Sequence, residues 1–209
     1  MRERPVTFTS DGLTLEGRYA PAGVSGARGG VVCHPHPLYG GTMYNNVVEA
    51  ALAAMWSQGW ATLRFNFRGV GQSAGEHDGG RGEADDATAA VKWLTAQPEV
   101  APGGAVLAGY SFGAMAALAA APKTPDLAAL LLVALPIGMA DASGLERFPG
   151  PVRLVAGDQD GYCPEAKLKA LHEKLGGRGQ LRIIAGADHF FGGCEPELEA
   201  AIGAMLGSL

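Results

Sequence analysis

Short apolar runs alternate with helical repeats along almost the whole chain of 209 residues. Residues 5–20 predict two strands around a Ser-Asp-Gly turn. Further strands are predicted at 30–34, 61–67, 105–108, 127–133, 152–155 and 181–184. This alternation predicts an α/β fold of the doubly wound kind, in which a mostly parallel sheet is covered by helices on both faces.

Helical periodicity fills the segments between these strands. The apolar residues of 45–56 fall on one helical face, and the helix predicted from about 83 to 95 begins with acidic residues that suit the positive end of its dipole. Pro164 is predicted as the first residue of a helix that Gly176 ends. The remaining helices are predicted after Ser111 and at 198–206.

Length and composition suit one domain covering residues 1–209, with 47% apolar residues and a sizeable core. A net charge of −5 argues against nucleic acid as a partner. No apolar run has the roughly 18 residues of a membrane helix, and the N-terminal segment has no apolar region typical of a signal peptide. We therefore expect a cytoplasmic protein, and its three cysteines do not suggest a disulfide framework.

Ligands of such sheets collect beyond the carboxyl ends of the strands. The segment Gly109-Tyr110-Ser111-Phe112-Gly113 follows one strand directly and opens a helix, which is the context of a nucleophile elbow. Its glycines leave room for a tight turn, and the helix directs N–H groups toward any negative charge that forms beside the serine. Ser111 is therefore the predicted nucleophile; the alternative is a serine that only caps a helix.

A serine hydroxyl needs a base, and in enzymes with a nucleophile elbow on an α/β sheet the chain order is serine, acid, histidine. His189 follows the last predicted strand, whereas His172 lies within a helix and is interpreted as a surface residue. The acid is expected in the loop after the preceding strand, which offers Asp158 and Asp160. We favour Asp160, with Asp158 fixing the turn, and Asp141 is a weaker third candidate.

The oxyanion formed during acyl transfer needs two donors. One is predicted to be the N–H of Phe112, directly after the nucleophile. The other should come from the loop that starts after the strand at 30–34. Pro35 and Pro37 have no N–H, so His36 and Leu38 remain, and His36 is favoured.

Three aromatic residues beside these motifs are candidates for lining a substrate pocket, although each could equally belong to the core: Tyr39, Tyr110 and Phe190. The segment 33–36 contains a cysteine and two histidines but lacks the second cluster that a structural zinc site requires. We therefore predict no metal.

The motifs HPHPLYGGTMYNNVV, LRFNFRGVGQSAG and GYSFGA resemble those of the α/β-hydrolase superfamily, within it a group of small bacterial enzymes near the dienelactone-hydrolase-like proteins. The resemblance covers nearly the whole chain and implies an eight-strand sheet whose second strand is antiparallel. It also implies a hydrolase or esterase without a metal or organic cofactor. Some dienelactone hydrolases use a cysteine nucleophile, so Ser111 is a departure that weakens that substrate assignment.

Fewer than twenty residues separate the strands that end near 133 and start near 152, which leaves no room for a helical cap. An open site favours small or short-chain acyl substrates. The sequence therefore predicts a serine esterase acting on small-molecule esters, with no membrane partner. Thioesterase, amidase or acyltransferase activity remains open, as do a non-catalytic binding module and an interaction protein or homodimer using the apolar C-terminal helix.

Overall fold

The computed structural model describes residues 2–140 and 142–209 of the chain. Its centre is a sheet of eight strands, and the spatial order of the strands is β1-β2-β4-β3-β5-β6-β7-β8. The strands are β1 Arg4–Ser10, β2 Leu13–Ala20, β3 Ala27–Cys33, β4 Ala61–Phe65, β5 Val100–Tyr110, β6 Leu127–Val133, β7 Val152–Gly157 and β8 Gly179–Ile184.

The direction of the strands confirms the predicted fold class. Strand β2 is antiparallel to both of its neighbours, β1 and β4. All other neighbouring pairs are parallel. Strand β5 extends well beyond the predicted 105–108, because Val100 pairs with Ala27 before a shift in register. The glycines at 103 and 104 interrupt the apolar pattern there, so the sequence indicated only the later part of this strand.

Helices cover both faces of the sheet, as predicted. Strand residues alternate between two core clusters, so that Val31 faces one and Val32 the other. One cluster includes residues of α2 to α5, and the other includes residues of α1 and α6. The helices are α1 Asn46–Trp56, α2 Arg81–Thr95, α3 Phe112–Ala120, α4 Ser143–Arg147, α5 Glu165–Leu175 and α6 Glu195–Leu206.

The apolar residues of α6 point inward. Leu198, Ile202 and Met205 are buried in the same core cluster as residues of α1. Their apolar surface is used within the chain, which removes the sequence argument for an interaction protein built on this helix. Across the described residues, no helix combines the length and hydropathy that crossing a bilayer requires.

Several helix starts differ from the sequence expectation, among them those of α2 and α5, and one helix was not predicted. Helix α2 begins at Arg81, two residues early, because the Glu83 side chain accepts the N–H of Gly80, the N-cap residue, at 2.8 Å. Helix α5 begins at Glu165, with Pro164 as its N-cap. Helix α4 has only five residues, too few for a helical repeat to be read. It is the only helix described between β6 and β7, in agreement with the expected lack of a cap domain.

The glycine-rich loop before α2 is held by a buried ion pair. Arg68 Nη2 lies 2.7 Å from Asp86 Oδ1, and the backbone N–H of Arg68 donates to Asp86 Oδ2 at 3.0 Å. Hydrogen bonding to Asp86 raises the pKa of the Arg68 guanidinium above its ordinary value. A Cβ at Gly82 would lie 2.1 Å from Arg68 Nη1, so a side chain at residue 82 would displace the guanidinium from this position.

Candidate active site

The turn between β5 and α3 has the geometry of a nucleophile elbow. Ser111 has φ 54° and ψ −117°, a left-handed conformation that costs energy for any residue with a side chain. A Cβ at Gly109 would lie 2.1 Å from the carbonyl oxygen of Gly113, and one at Gly113 would lie 2.3 Å from that of Cys33. Both flanking glycines are therefore required by the close approach of backbone to backbone.

The structure brings Ser111, His189 and Asp160 together beyond the carboxyl ends of the strands. Ser111 Oγ lies 2.9 Å from His189 Nε2. On the other side of the imidazole, His189 Nδ1 lies 2.8 Å from Asp160 Oδ2. The hydroxyl of Tyr110 donates to the carbonyl oxygen of His189 at 2.9 Å, which fixes the backbone that carries the imidazole.

The two aspartates of the loop after β7 have different partners. Asp160 is buried, and its second oxygen, Oδ1, accepts the N–H groups of Tyr162 and Cys163 at 2.8 and 3.0 Å. Asp158 Oδ1 instead accepts the N–H of Gly186 at 2.8 Å and so ties this loop to the one after β8. Asp141, the third candidate, lies outside the described residues.

The loop after β3 is folded around His36. The carbonyl oxygen of His36 accepts the N–H groups of Tyr39 and Gly41 at 3.1 and 3.0 Å, and the Nδ1 atom of His36 accepts the N–H of Leu38 at 3.2 Å. The N–H of Leu38, which made it a candidate for the second oxyanion donor, is therefore already used in a hydrogen bond within the loop. Within the described part of the chain, no protein acceptor receives a hydrogen bond from the N–H of His36 or of Phe112.

Aromatic contacts hold these two residues against each other. The rings of His36 and Phe112 have their centroids 4.8 Å apart, and the ring of His77 lies 5.1 Å from the first and 5.4 Å from the second. His77 Nδ1 in turn lies 2.7 Å from Glu83, which is fully buried. Desolvation and the nearby His77 lower the pKa of His36, which favours its uncharged form.

A cavity of about 460 Å³ lies against Ser111 and His189. All three aromatic residues named from the sequence line it, but in different ways. Tyr39 and Phe190 are exposed at the rim, with 87% and 62% of their surface accessible, whereas Tyr110 is buried at the base.

Several lining residues were missed by sequence reasoning: Asn45, Met115, Pro136, Met139 and Tyr162. Tyr162 had a signal in the sequence, because it follows Asp160 by two positions in the same loop. Its ring centroid lies 4.8 Å from that of His189. The two methionines carried no such signal, because α3 reads as uniformly apolar and Met139 lies in an irregular connection.

His34 has a structural role behind the loop after β3. It is buried, its Nε2 accepts the N–H of Phe67 at 3.0 Å, and its Nδ1 lies 2.6 Å from the carbonyl oxygen of Pro35. These contacts use both ring nitrogens in the neutral form. Among the described residues no group of acidic, histidine and cysteine side chains forms a metal site.

The burial of His34 predicts a pH-dependent stability. Desolvation lowers its pKa from 6.5 to about 4, so below pH 6.5 the unfolded chain binds a proton that the folded chain does not. The stability that the folded state gains by keeping His34 neutral is complete above the pKa that His34 has in the unfolded chain. It is lost as the pH falls toward the pKa that His34 has in the folded chain. We expect the free energy of unfolding to fall by about 3 kcal/mol from this source between pH 7 and pH 4.

Urea unfolding at several pH values would measure the slope of the free energy of unfolding against pH. The variant His34→Asn should be less stable at pH 7 but should lose less stability on acidification than the wild type. His172→Asn, at a half-buried histidine of α5, is the matched control and should retain the wild-type slope. Equal slopes for His34→Asn and the wild type would contradict the prediction.

Comparison with known proteins places the chain among hydrolases. Residues 16–178 match the model of the X-Pro dipeptidyl-peptidase (S15) family. An uncharacterized protein of Rickettsia prowazekii is 38% identical over 200 residues, which cover 92% of this chain and 84% of that protein.

Two solved structures are similar over almost the full length. An α/β serine hydrolase homologue from Coxiella burnetii is 34% identical with a TM-score of 0.88, covering 99% of this chain and 98% of its own. A Xanthomonas campestris protein described as an α/β serine hydrolase without a lid is 30% identical with a TM-score of 0.87, covering 100% and 95%. The chain therefore belongs to the S15 family, and it is a serine hydrolase of the α/β-hydrolase superfamily.

Proposed function

We propose that this protein hydrolyses carboxylic esters with small or short acyl groups, through an acyl-enzyme on Ser111. The observation that carries the proposal is the continuous chain of contacts from Ser111 through the imidazole of His189 to Asp160. Ser111 Oγ lies 2.9 Å from His189 Nε2, and His189 Nδ1 lies 2.8 Å from Asp160 Oδ2. An uninterrupted chain of this kind lets one imidazole accept a proton from the hydroxyl while the carboxylate stabilises the resulting charge.

Acylation begins when Ser111 Oγ attacks the ester carbonyl carbon and His189 Nε2 accepts the hydroxyl proton. Asp160 holds the imidazole by its Nδ1–H and stabilises the imidazolium. The oxygen that gains the negative charge receives hydrogen bonds from the N–H groups of His36 and Phe112. The intermediate then collapses, the carbon–oxygen bond to the alcohol breaks, and His189 gives its proton to the departing alcohol.

Deacylation repeats these steps with water as the nucleophile. His189 removes a proton from a water molecule that attacks the acyl carbonyl, and the same two N–H groups bind the second oxyanion. Collapse of this intermediate releases the carboxylic acid and returns the proton to Ser111 Oγ. The hydrogen bond from Tyr110 to the His189 carbonyl supports both steps, because it keeps the imidazole within reach of the serine.

The family match raises a dipeptidyl peptidase as the second candidate. Such an enzyme must bind the positively charged amino terminus of its substrate, and a buried ammonium group needs a carboxylate partner. None of the described residues lining the cavity is an aspartate or a glutamate. This lining favours an uncharged ester over a peptide with a free amino terminus.

The shape of the cavity supports small or short acyl groups. It is open toward solvent and its rim carries the exposed rings of Tyr39 and Phe190, with no described domain above them. The chemistry of the three catalytic residues would also serve thioesters, amides or transfer of the acyl group to an alcohol, so a substrate panel belongs in the test.

A fluorophosphonate probe and a substrate panel test the proposal. We expect the probe to modify Ser111, as located by mass spectrometry of proteolytic peptides. We also expect kcat/KM to be highest for p-nitrophenyl acetate and butanoate, compared with the butanoyl thioester, the butanoyl anilide and an alanyl-prolyl anilide.

Three results would count against it. Absence of labelling and of turnover would favour a non-catalytic binding module. Cleavage of the alanyl-prolyl anilide in preference to the esters would make the protein a peptidase. Rapid formation of a new ester when an alcohol is added would make it an acyltransferase.

A further inference from the structure

A second cavity, of about 390 Å³, lies next to the first, and the mechanism above does not use it. Met115 and Met139 belong to the walls of both cavities, so these two side chains form the partition between them. Methionine is unbranched and has several rotatable bonds, and 73% of the surface of Met139 is exposed. A substrate chain can therefore pass from the first cavity to the second by rotation of these side chains, without movement of the backbone.

One wall of the second cavity is a face of α3. Its residues Phe112, Met115, Ala116 and Ala119 have the spacing of neighbours along a helix. With a rise of 1.5 Å per residue, Ala119 lies about 12 Å along the helix axis from Ser111. The second cavity thus starts at Phe112, the residue after the nucleophile, and extends along an apolar face of α3.

The lining of this cavity also carries positive charge. Arg81, at the start of α2, and Arg147, at the end of α4, are its charged lining residues. Arg81 also makes a two-point contact with Asp78, with Nη2 3.2 Å from Oδ1 and Nε 3.3 Å from Oδ2, an exposed pair that solvent screens. No described residue lining the cavity is an aspartate or a glutamate. The arrangement combines an apolar path with two guanidinium groups, which are suited to a carboxylate.

We propose that the second cavity binds the distal end of acyl groups that terminate in a carboxylate, so that the protein accepts half-esters of medium-length dicarboxylic acids in addition to short acyl esters. The methylene chain would lie on α3, and the carboxylate would face Arg81 and Arg147. This inference rests on the proposed esterase function and adds a class of longer substrate to it.

A pair of esters of equal length tests the role of the carboxylate. The mono-p-nitrophenyl ester of octanedioic acid carries the charge, and p-nitrophenyl octanoate is its neutral counterpart. We expect kcat/KM to be about tenfold higher for the charged ester, the effect of roughly one charge-assisted hydrogen bond. The double variant Arg81→Gln/Arg147→Gln should bring the ratio of the two kcat/KM values close to one.

Two further variants separate this site from general effects. Lys174→Gln removes one positive charge from an exposed position of α5 and should keep the ratio of the wild type. Ala119→Phe places a ring on an exposed position of the cavity wall and should raise KM for the charged octanedioate ester much more than for p-nitrophenyl acetate.

The outcomes are distinguishable from failure of the esterase proposal. If p-nitrophenyl acetate is cleaved but the charged and neutral long esters react equally well, the second cavity has no role in selecting a carboxylate. The same conclusion follows if Lys174→Gln lowers the ratio as much as the double arginine variant. If no ester is cleaved at all, the proposed function fails and this inference fails with it.

Discussion

The variant Ser111→Ala is expected to lower kcat for p-nitrophenyl butanoate by about a million-fold, the loss typical of removing the nucleophile from such a site. His189 would still lie beside residue 111 and the proposed oxyanion donors would remain, but residue 111 would have no atom that could form the acyl-enzyme. The residual rate would come from water attacking a bound ester beside the N–H groups of His36 and Phe112.

The fold should survive this change. The side chain of Ser111 contacts His189, and the left-handed backbone at this position is supported by its own N–H, which donates to the carbonyl oxygen of Val133 at 2.9 Å. Circular dichroism and urea unfolding should therefore match the wild type closely. Ser57→Ala, at an exposed serine that ends α1, is the control and should keep full activity. A folded Ser111→Ala protein with the wild-type rate would refute the assignment of the nucleophile.

The sequence predicted the parts of this site that depend only on the order of the strands and on the local structure of the chain. Ser111 stands between a strand and a helix, so its conformation is determined by neighbours in the chain and by two glycines. His189 follows the last strand of a parallel sheet, and the topology alone brings it to the same edge. For these residues the position was predictable because few alternatives satisfy the strand order.

Chain order and strand order do not decide whether His36 or Leu38 is the better candidate for the second oxyanion donor. The choice depends on the imidazole of His36 turning back to accept the N–H of Leu38, a side-chain conformation that contacts with Phe112 and His77 support. The partition between the two cavities likewise depends on Met115, from a uniformly apolar helix, and Met139, from an irregular loop. Side-chain conformations and cavity walls of this kind depend on tertiary packing, and the periodicity of the sequence does not predict them.

The variant Asp160→Asn is expected to lower kcat by about ten-thousandfold while leaving the loop intact. The amide oxygen can still accept the N–H groups of Tyr162 and Cys163, which now bond to Oδ1. The amide nitrogen would then face His189 Nδ1 as a donor. This donor requires Nδ1 to be unprotonated, so that the proton of the neutral imidazole moves to Nε2, the atom that must accept the proton of Ser111.

The neighbouring variant Asp158→Asn provides the matched control, because it makes the same chemical change two residues away. Its amide oxygen can retain the hydrogen bond from the N–H of Gly186, and we expect kcat within about threefold of the wild type, since no contact to the imidazole is lost. Steady-state kinetics of both variants on p-nitrophenyl butanoate decide between the two carboxylates. The opposite pattern, with Asp158→Asn inactive and Asp160→Asn active, would transfer the role of the acid to Asp158 and would mean that the contact between His189 and Asp160 does not serve catalysis.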